Sequence, residues 1–190
     1  MAIVINGSGT VTGISVGGLP DAIVDDGTLA TDSVTAAKLK DDAIAVGDLP
    51  AGSVLQVVQN ALNPSAYTTT SSSWTVITDM DVTITPTATS SKVLVTFNCG
   101  GAIVAAATNQ NAIHVRIKRG STVIRSLGRY GYNRNDDYSS IPVFITYLDS
   151  PSTTSATTYT IEMMTDAGSM HINRDAITNG GVTIAQEIAG

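Results

Sequence analysis

Cysteine is almost missing from this chain: Cys99 is the only one in 190 residues. That count excludes an intrachain disulfide framework and any multi-cysteine metal site. Within "KVLVTFNCG", Cys99 reads as a small buried hydrophobe. Charge is scarce as well, at 14% of residues against the usual quarter or so. Glu, Lys, Arg and Leu, the good helix formers, are thin on the ground, which argues against a set of amphipathic helices. No apolar stretch approaches the roughly 18–20 residues of a membrane helix, and no charged segment leads into an apolar run. Neither membrane insertion nor a signal peptide is expected.

What charge there is lies unevenly. Residues 1–53 hold seven Asp against Lys38 and Lys40, whereas 54–190 are close to balanced. Neither part has the basic field that nucleic-acid binding requires, so nucleic acid is not an expected partner. The chemistry of an active site is equally thin. There are two histidines, His114 and His171, and no acid stands at a triad or metal-ligand spacing from either in the sequence. The acidic pairs Asp25/Asp26, Asp41/Asp42 and Asp136/Asp137 are adjacent, so in extended chain they point to opposite faces. "NGSG" at 6–9 opens no helix and is a poor phosphate loop. The chain is therefore expected not to be an enzyme, and no cofactor or metal is expected.

Against these absences stand hydroxyls, small residues and spaced aliphatics. "ISVGGLP" at 14–20 returns as "IAVGDLP" at 44–50, and repeats are read first because they can decide a whole fold. Leu29, Val34, Leu39 and Ile44 recur every five residues, followed by Val46 and Leu49. Five is neither the helical period of 3.6 nor the strand period of 2. A segment so patterned cannot bury its apolar side chains on itself. It is either a linker or a thin shaft in which identical chains share an axial core. A single helical turn at "TAAKL", capped by Thr35, fits within it.

After residue 53 the texture changes. About ten candidate strands can be marked, at 54–59, 74–78, 81–85, 92–98, 111–118, 122–127, 141–148, 157–165, 169–174 and 182–188. Ile113, Val115 and Ile117 share one face, with His114, Arg116 and Lys118 on the other. Tyr159, Ile161 and Met163 alternate with Thr160 and Glu162, and Val93, Val95 and Phe97 line up likewise. Period-2 alternation predicts one face on a core and one on water. Gly120 and Gly168 mark tight turns. "GGAIVAAAT" at 100–108 reads as a helical turn or an apolar strand end. The fold class expected is all-β: a C-terminal antiparallel sandwich or jelly roll at 54–190, preceded by an extended, irregular segment at 1–53.

One stretch is rich in recognition chemistry. "RSLGRYGYNRNDDYSS" combines Arg125, Arg129 and Arg134 with Tyr130, Tyr132 and Tyr138, and with Asn133, Asn135, Asp136 and Asp137. Flat aromatic faces and planar amide, carboxylate or guanidinium groups suit sugars, and Tyr and Arg also anchor protein interfaces. A receptor contact, a subunit interface and a plain polar loop are all compatible with it. "NRNDD" lacks the spaced ligand pattern of a calcium loop.

The opening "MAIVINGSGTVTGISVGGLPDAIVDDGTLA…SVTAAKL" resembles the N-terminal segments of tailed-bacteriophage fibre proteins, with their V-T-A/S-A-K-L shaft phrases. "GSVLQVVQ", "TSSSWTVITDMDVTITPTATSSKVLV", "YLDSPSTTSATTYTIEM" and "VTIAQEIAG" resemble the distal domains of such fibres. The resemblance implies a homotrimeric virion fibre assembled in the host cytoplasm. Its N-terminal segment would fix to other virion proteins, and its β-sandwich head, of the C1q/tumour-necrosis-factor type, would meet a host surface glycan. With only about 50 residues of shaft, a head fibre or capsid decoration of purely structural role is the alternative to a tail fibre. The candidate receptor residues are those of 125–138 named above; the candidate shaft core is Leu29, Val34, Leu39, Ile44, Val46 and Leu49.

Overall fold

Strands form where β-branched and aromatic residues alternate with polar ones, because such side chains pack well on a pleated, half-buried surface. The computed structural model describes residues 31, 34–35, 39, 44–61, 66–105, 111–133, 138–173 and 180–190. After a 3-10 turn at Val46–Asp48 come eleven strands among the described residues. They are β1 (Val54–Ala61), β2 (Tyr67–Thr69), β3 (Thr75–Val76), β4 (Val82–Ile84), β5 (Lys92–Ala105) and β6 (Asn111–Arg119). There follow β7 (Thr122–Asn133), β8 (Tyr138–Asp149), β9 (Thr157–Thr165), β10 (Ser169–Ile172) and β11 (Gly181–Ile188). No described helix is long and apolar enough to cross a membrane.

Two antiparallel sheets result. The principal strands run β1-β11-β5-β8 in the first, with β10 and β2 beside the far half of β5, and β4-β9-β6-β7 in the second, where β3 also pairs with β9. That interleaved order, with neighbours far apart in sequence, is a jelly roll, as expected for the C-terminal part. The long β5 serves both branches through a register shift between Cys99 and Ala102, at the glycine pair 100–101. Its first half pairs with β11 and its second with β10. Such a bulge bends a strand without ending it. Residues 100–105, for which a helical turn was one option, therefore continue the strand.

The core lies between the sheets and follows the alternation. Val93, Val95, Phe97 and Cys99 of β5 face Ile113, Val115 and Ile117 of β6 and Tyr159, Ile161 and Met163 of β9, all buried. Gly120 and Gly168 close the β6–β7 and β9–β10 turns with φ of 54° and 74°, the left-handed region that glycine enters without steric cost. The compact unit runs from Val46 to Gly190. It takes in 46–53, which the sequence reading assigned to the shaft. The reason is a backbone tie: the Gly52 and Ala189 amides donate to Ala189 O and Ser53 O, each at 2.8 Å, extending the β1–β11 pair.

Candidate functional site

The recognition stretch is largely strand rather than loop. Arg125 pairs with Ile117, Tyr130 with Ile113, Tyr132 with Ala112 and Asn133 with Asn111, all on β6, while Tyr138 opens β8 opposite Ala105 of β5. β7 and β8 belong to different sheets, paired with β6 and β5, and their distal ends, joined in sequence by residues 134–137, make up the β7–β8 arm. Arg134, Asn135, Asp136 and Asp137 lie outside the described residues. Arg125 and Arg129 are exposed, and Arg129 has a φ of 51°, uncommon for a residue with a side chain. Of the shaft-core candidates, Val34, Leu39, Ile44 and Leu49 are exposed in the single chain. Val46 begins the 3-10 turn, and Leu29 lies outside the described residues.

The two sheets present very different surfaces. Antiparallel partners share a face, so the registers read out the outer face of the first sheet row by row: Val57–Gln186–Leu94–Leu148, Gln59–Ile184–Thr96–Thr146, and Ala61–Val182–Asn98–Phe144. Val54, Ile188 and Lys92 continue it. Lys92, at its corner, is the one charged residue on these rows. Val54, Val57, Phe144 and Leu148 are 46–55% exposed.

The outer face of the second sheet carries the charge instead. Glu162 of β9 is buried beneath two cations of β6, accepting from Arg116 Nε at 2.6 Å and from Lys118 Nζ at 3.2 Å. Trp74 covers this group, with the Arg116 guanidinium 4.2 Å from its ring centre. A cation over an indole adds about 0.5–2 kcal/mol. Beside it, His114 Nε2 lies 2.8 Å from Asp166 Oδ1, and the Trp74 ring meets the imidazole edge-on at 6.3 Å. The sequence reading found no acid for His114 because Asp166 is 52 residues away. The placing of His114, Arg116 and Lys118 on one strand face was the available signal.

Two buried carboxylates complete the polar inventory. Asp149, at the end of β8, accepts from the Tyr159 hydroxyl at 2.8 Å and from Arg119 Nη1 at 2.7 and 2.9 Å, clasping the two sheets together. Burial, followed by the neighbouring carboxylate, pushes the Tyr159 phenol far above its usual range. Glu187 of β11 is fully buried. It accepts from Gln56 Nε2 at 2.5 Å and from the Thr87 amide and hydroxyl, each at 2.7 Å. Burial raises its pKa, but the donated hydrogen bonds outweigh that and hold the carboxyl below the usual range.

A cavity of about 300 Å³ is lined by Gly47, Leu49, Ala51, Leu55, Ser90 and Ser91, among others, with no titratable side chain. No group of three or more metal-ligating side chains occurs among the described residues. What the described surface offers is contact area: a face whose rows carry Lys92 as their one charge, a charged face and an arm.

No protein-family model matches the chain, and no curated protein matches it. Solved structures similar in part include two strains of infectious bursal disease virus. The Gx strain has a TM-score of 0.36 at 10% identity, covering 72% of this chain and 38% of that one. The Gt strain has a TM-score of 0.34 at 12% identity, covering 71% and 38%. The VP2 subviral particle of the same virus scores 0.34 at 13% identity, again over 71% and 38%. The chain spans less than two fifths of the length of each, and at these scores the likeness carries no functional argument.

Proposed function

We propose that this chain is a non-enzymatic structural component of a tailed-phage virion: a homotrimeric fibre whose jelly-roll head meets a host surface glycan through the β7–β8 arm. The observation that carries the reading is the outer face of the first sheet, where Lys92 is the one charge on the rows. Each exposed apolar side chain there leaves surface in water that association would remove, at about 25 cal/mol per Å². Contiguous patches of that kind mark interaction surfaces. The exposed Val34, Leu39, Ile44 and Leu49 add the same demand for companions along the N-terminal segment. A trimer is the state implied by the resemblance of the shaft phrases to phage fibres, and three copies of a weak arm on one axis gain avidity without any strong single site.

Light scattering on the full chain tests the assembly. The expected mass is three times 19.6 kDa, falling to that of one chain when Val57→Lys and Leu148→Lys are combined. A native chain that runs as a monomer would remove the basis of the reading. A glycan array probed with the assembled protein tests adhesion. Binding lost on Arg129→Ala with Tyr132→Ala supports the arm; a trimer that binds no glycan leaves a purely structural particle component.

A further inference from the structure

The imidazole of His114 occupies a place in the β6–β7 ladder that a backbone carbonyl would ordinarily fill. The strands pair from Arg119 opposite Thr122 to Val115 opposite Leu127, and the next partners are Ile113 and Tyr130. Gly128 and Arg129 therefore face the single residue His114, two against one, which is a bulge. In it the Arg129 amide donates to His114 Nδ1 at 3.3 Å, and Arg129 is held at a φ of 51°. A left-handed conformation is disfavoured for a residue with a side chain and persists only where the surroundings enforce it.

The hydrogen bonds assign the proton. Nδ1 faces an N–H and can only accept, so Nε2 carries the hydrogen and donates to Asp166 Oδ1 at 2.8 Å. The imidazole in place is the neutral one. Against it stand Asp166 from the β9–β10 turn, Trp74 before β3 and Arg129 itself on β7; farther along the same face Trp74 also stacks on Arg116, which with Lys118 pairs with Glu162 of β9. The imidazole is largely shielded, with its side chain 12% exposed.

We infer that His114 is a proton-operated latch on the distal half of β7, the strand that leads into the β7–β8 connection. A second proton can bind only at Nδ1. The ring then keeps its bond to Asp166 and presents N–H to N–H at Arg129. Arg129 loses its acceptor, and its left-handed backbone loses the contact that enforces it. The strain is relieved by parting Arg129–Asn133 from the start of β6. Acid thus loosens the distal half of β7 and neutral pH closes it, histidine being the side chain whose charge responds to mild acid. The consequence for adhesion rests on the proposed function; the latch itself does not.

The test is amide hydrogen exchange on the full chain at about pH 5 and about pH 7.5, corrected for intrinsic exchange rates. Losing one backbone hydrogen bond predicts about five- to tenfold less protection at Arg129 in acid, with Val115 and Ile117 unchanged. His114→Gln, a neutral side chain that still accepts and donates, is expected to abolish the difference. Should that variant fold poorly, the NMR titration of the native imidazole serves instead, and its midpoint must coincide with that of the Arg129 amide. Equal protection at both pH values, a pH response retained in His114→Gln, or separate midpoints would each overturn the latch. A chain whose Arg129 protection responds to acid but which binds no glycan at either pH keeps the latch and loses the adhesion reading.

Discussion

Glu187 shows how a single buried residue sets a pH dependence. Its three donors stabilise the carboxylate more than burial penalises it, so its pKa lies lower folded than unfolded. For a depressed pKa the stabilisation is present above the unfolded value and lost as pH falls through the folded one. Glu187→Gln is expected to cost about 1–3 kcal/mol at neutral pH and to flatten the acid side of the stability profile. Urea midpoints at about pH 7 and about pH 3 measure both effects. Asp149 is a second buried carboxylate, with two partners on the opposite sheet. Asp149→Ala is expected to lose about 2–4 kcal/mol, because a guanidinium and a buried phenol are left without their acceptor. Adding Tyr159→Phe should cost less in that background than in the native chain, a non-additivity that a double-mutant cycle reads directly.

At the level of elements, the bulges and turns decide the topology. β5 reaches both β11 and β10 because its register slips at the glycine pair 100–101. β7 slips its register against β6 at three places, one of them opposite His114. The β6–β7 hairpin turns on Gly120 at a φ of 54°, with open space where a Cβ would stand. Gly120→Ala therefore meets no clash but takes on the left-handed penalty, about 1–2 kcal/mol. Thermal melts should show a modest fall in Tm with the strand content by circular dichroism unchanged. A loss of the fold would show instead that the turn carries more than its backbone conformation.

For the whole molecule, the division of charge between faces makes the clearest forecast. Self-association through the first sheet's outer face removes apolar surface, and Lys92 at its corner has no opposite charge on the same rows to pair with. It is expected to be nearly unchanged from about 0.05 M to about 1 M salt, since screening acts only on charge. Sedimentation velocity across that range reads the result. Dissociation at high salt would assign the contact to the charged face of Glu162, Arg116 and Lys118 instead.

Alternation alone determined most of the sandwich. Val93, Val95, Phe97, Ile113, Val115, Ile117, Tyr159, Ile161 and Met163 were readable as core residues because a strand's two faces are set by a period of 2, which needs no knowledge of partners. The hairpin glycines were readable for a similarly local reason. The pairing of strands was not, since a jelly roll joins segments a hundred or more residues apart, as β1 and β11 are. Sequence separation likewise hid His114 from Asp166, 52 residues away, and Glu187 from Gln56, 131 residues away, while the register shifts against β6 hid the continuation of the 122–127 strand as far as Asn133. Side-chain chemistry and local period belong to the chain itself; which charge meets which, and which face is left almost without any, is decided only when distant strands are laid side by side.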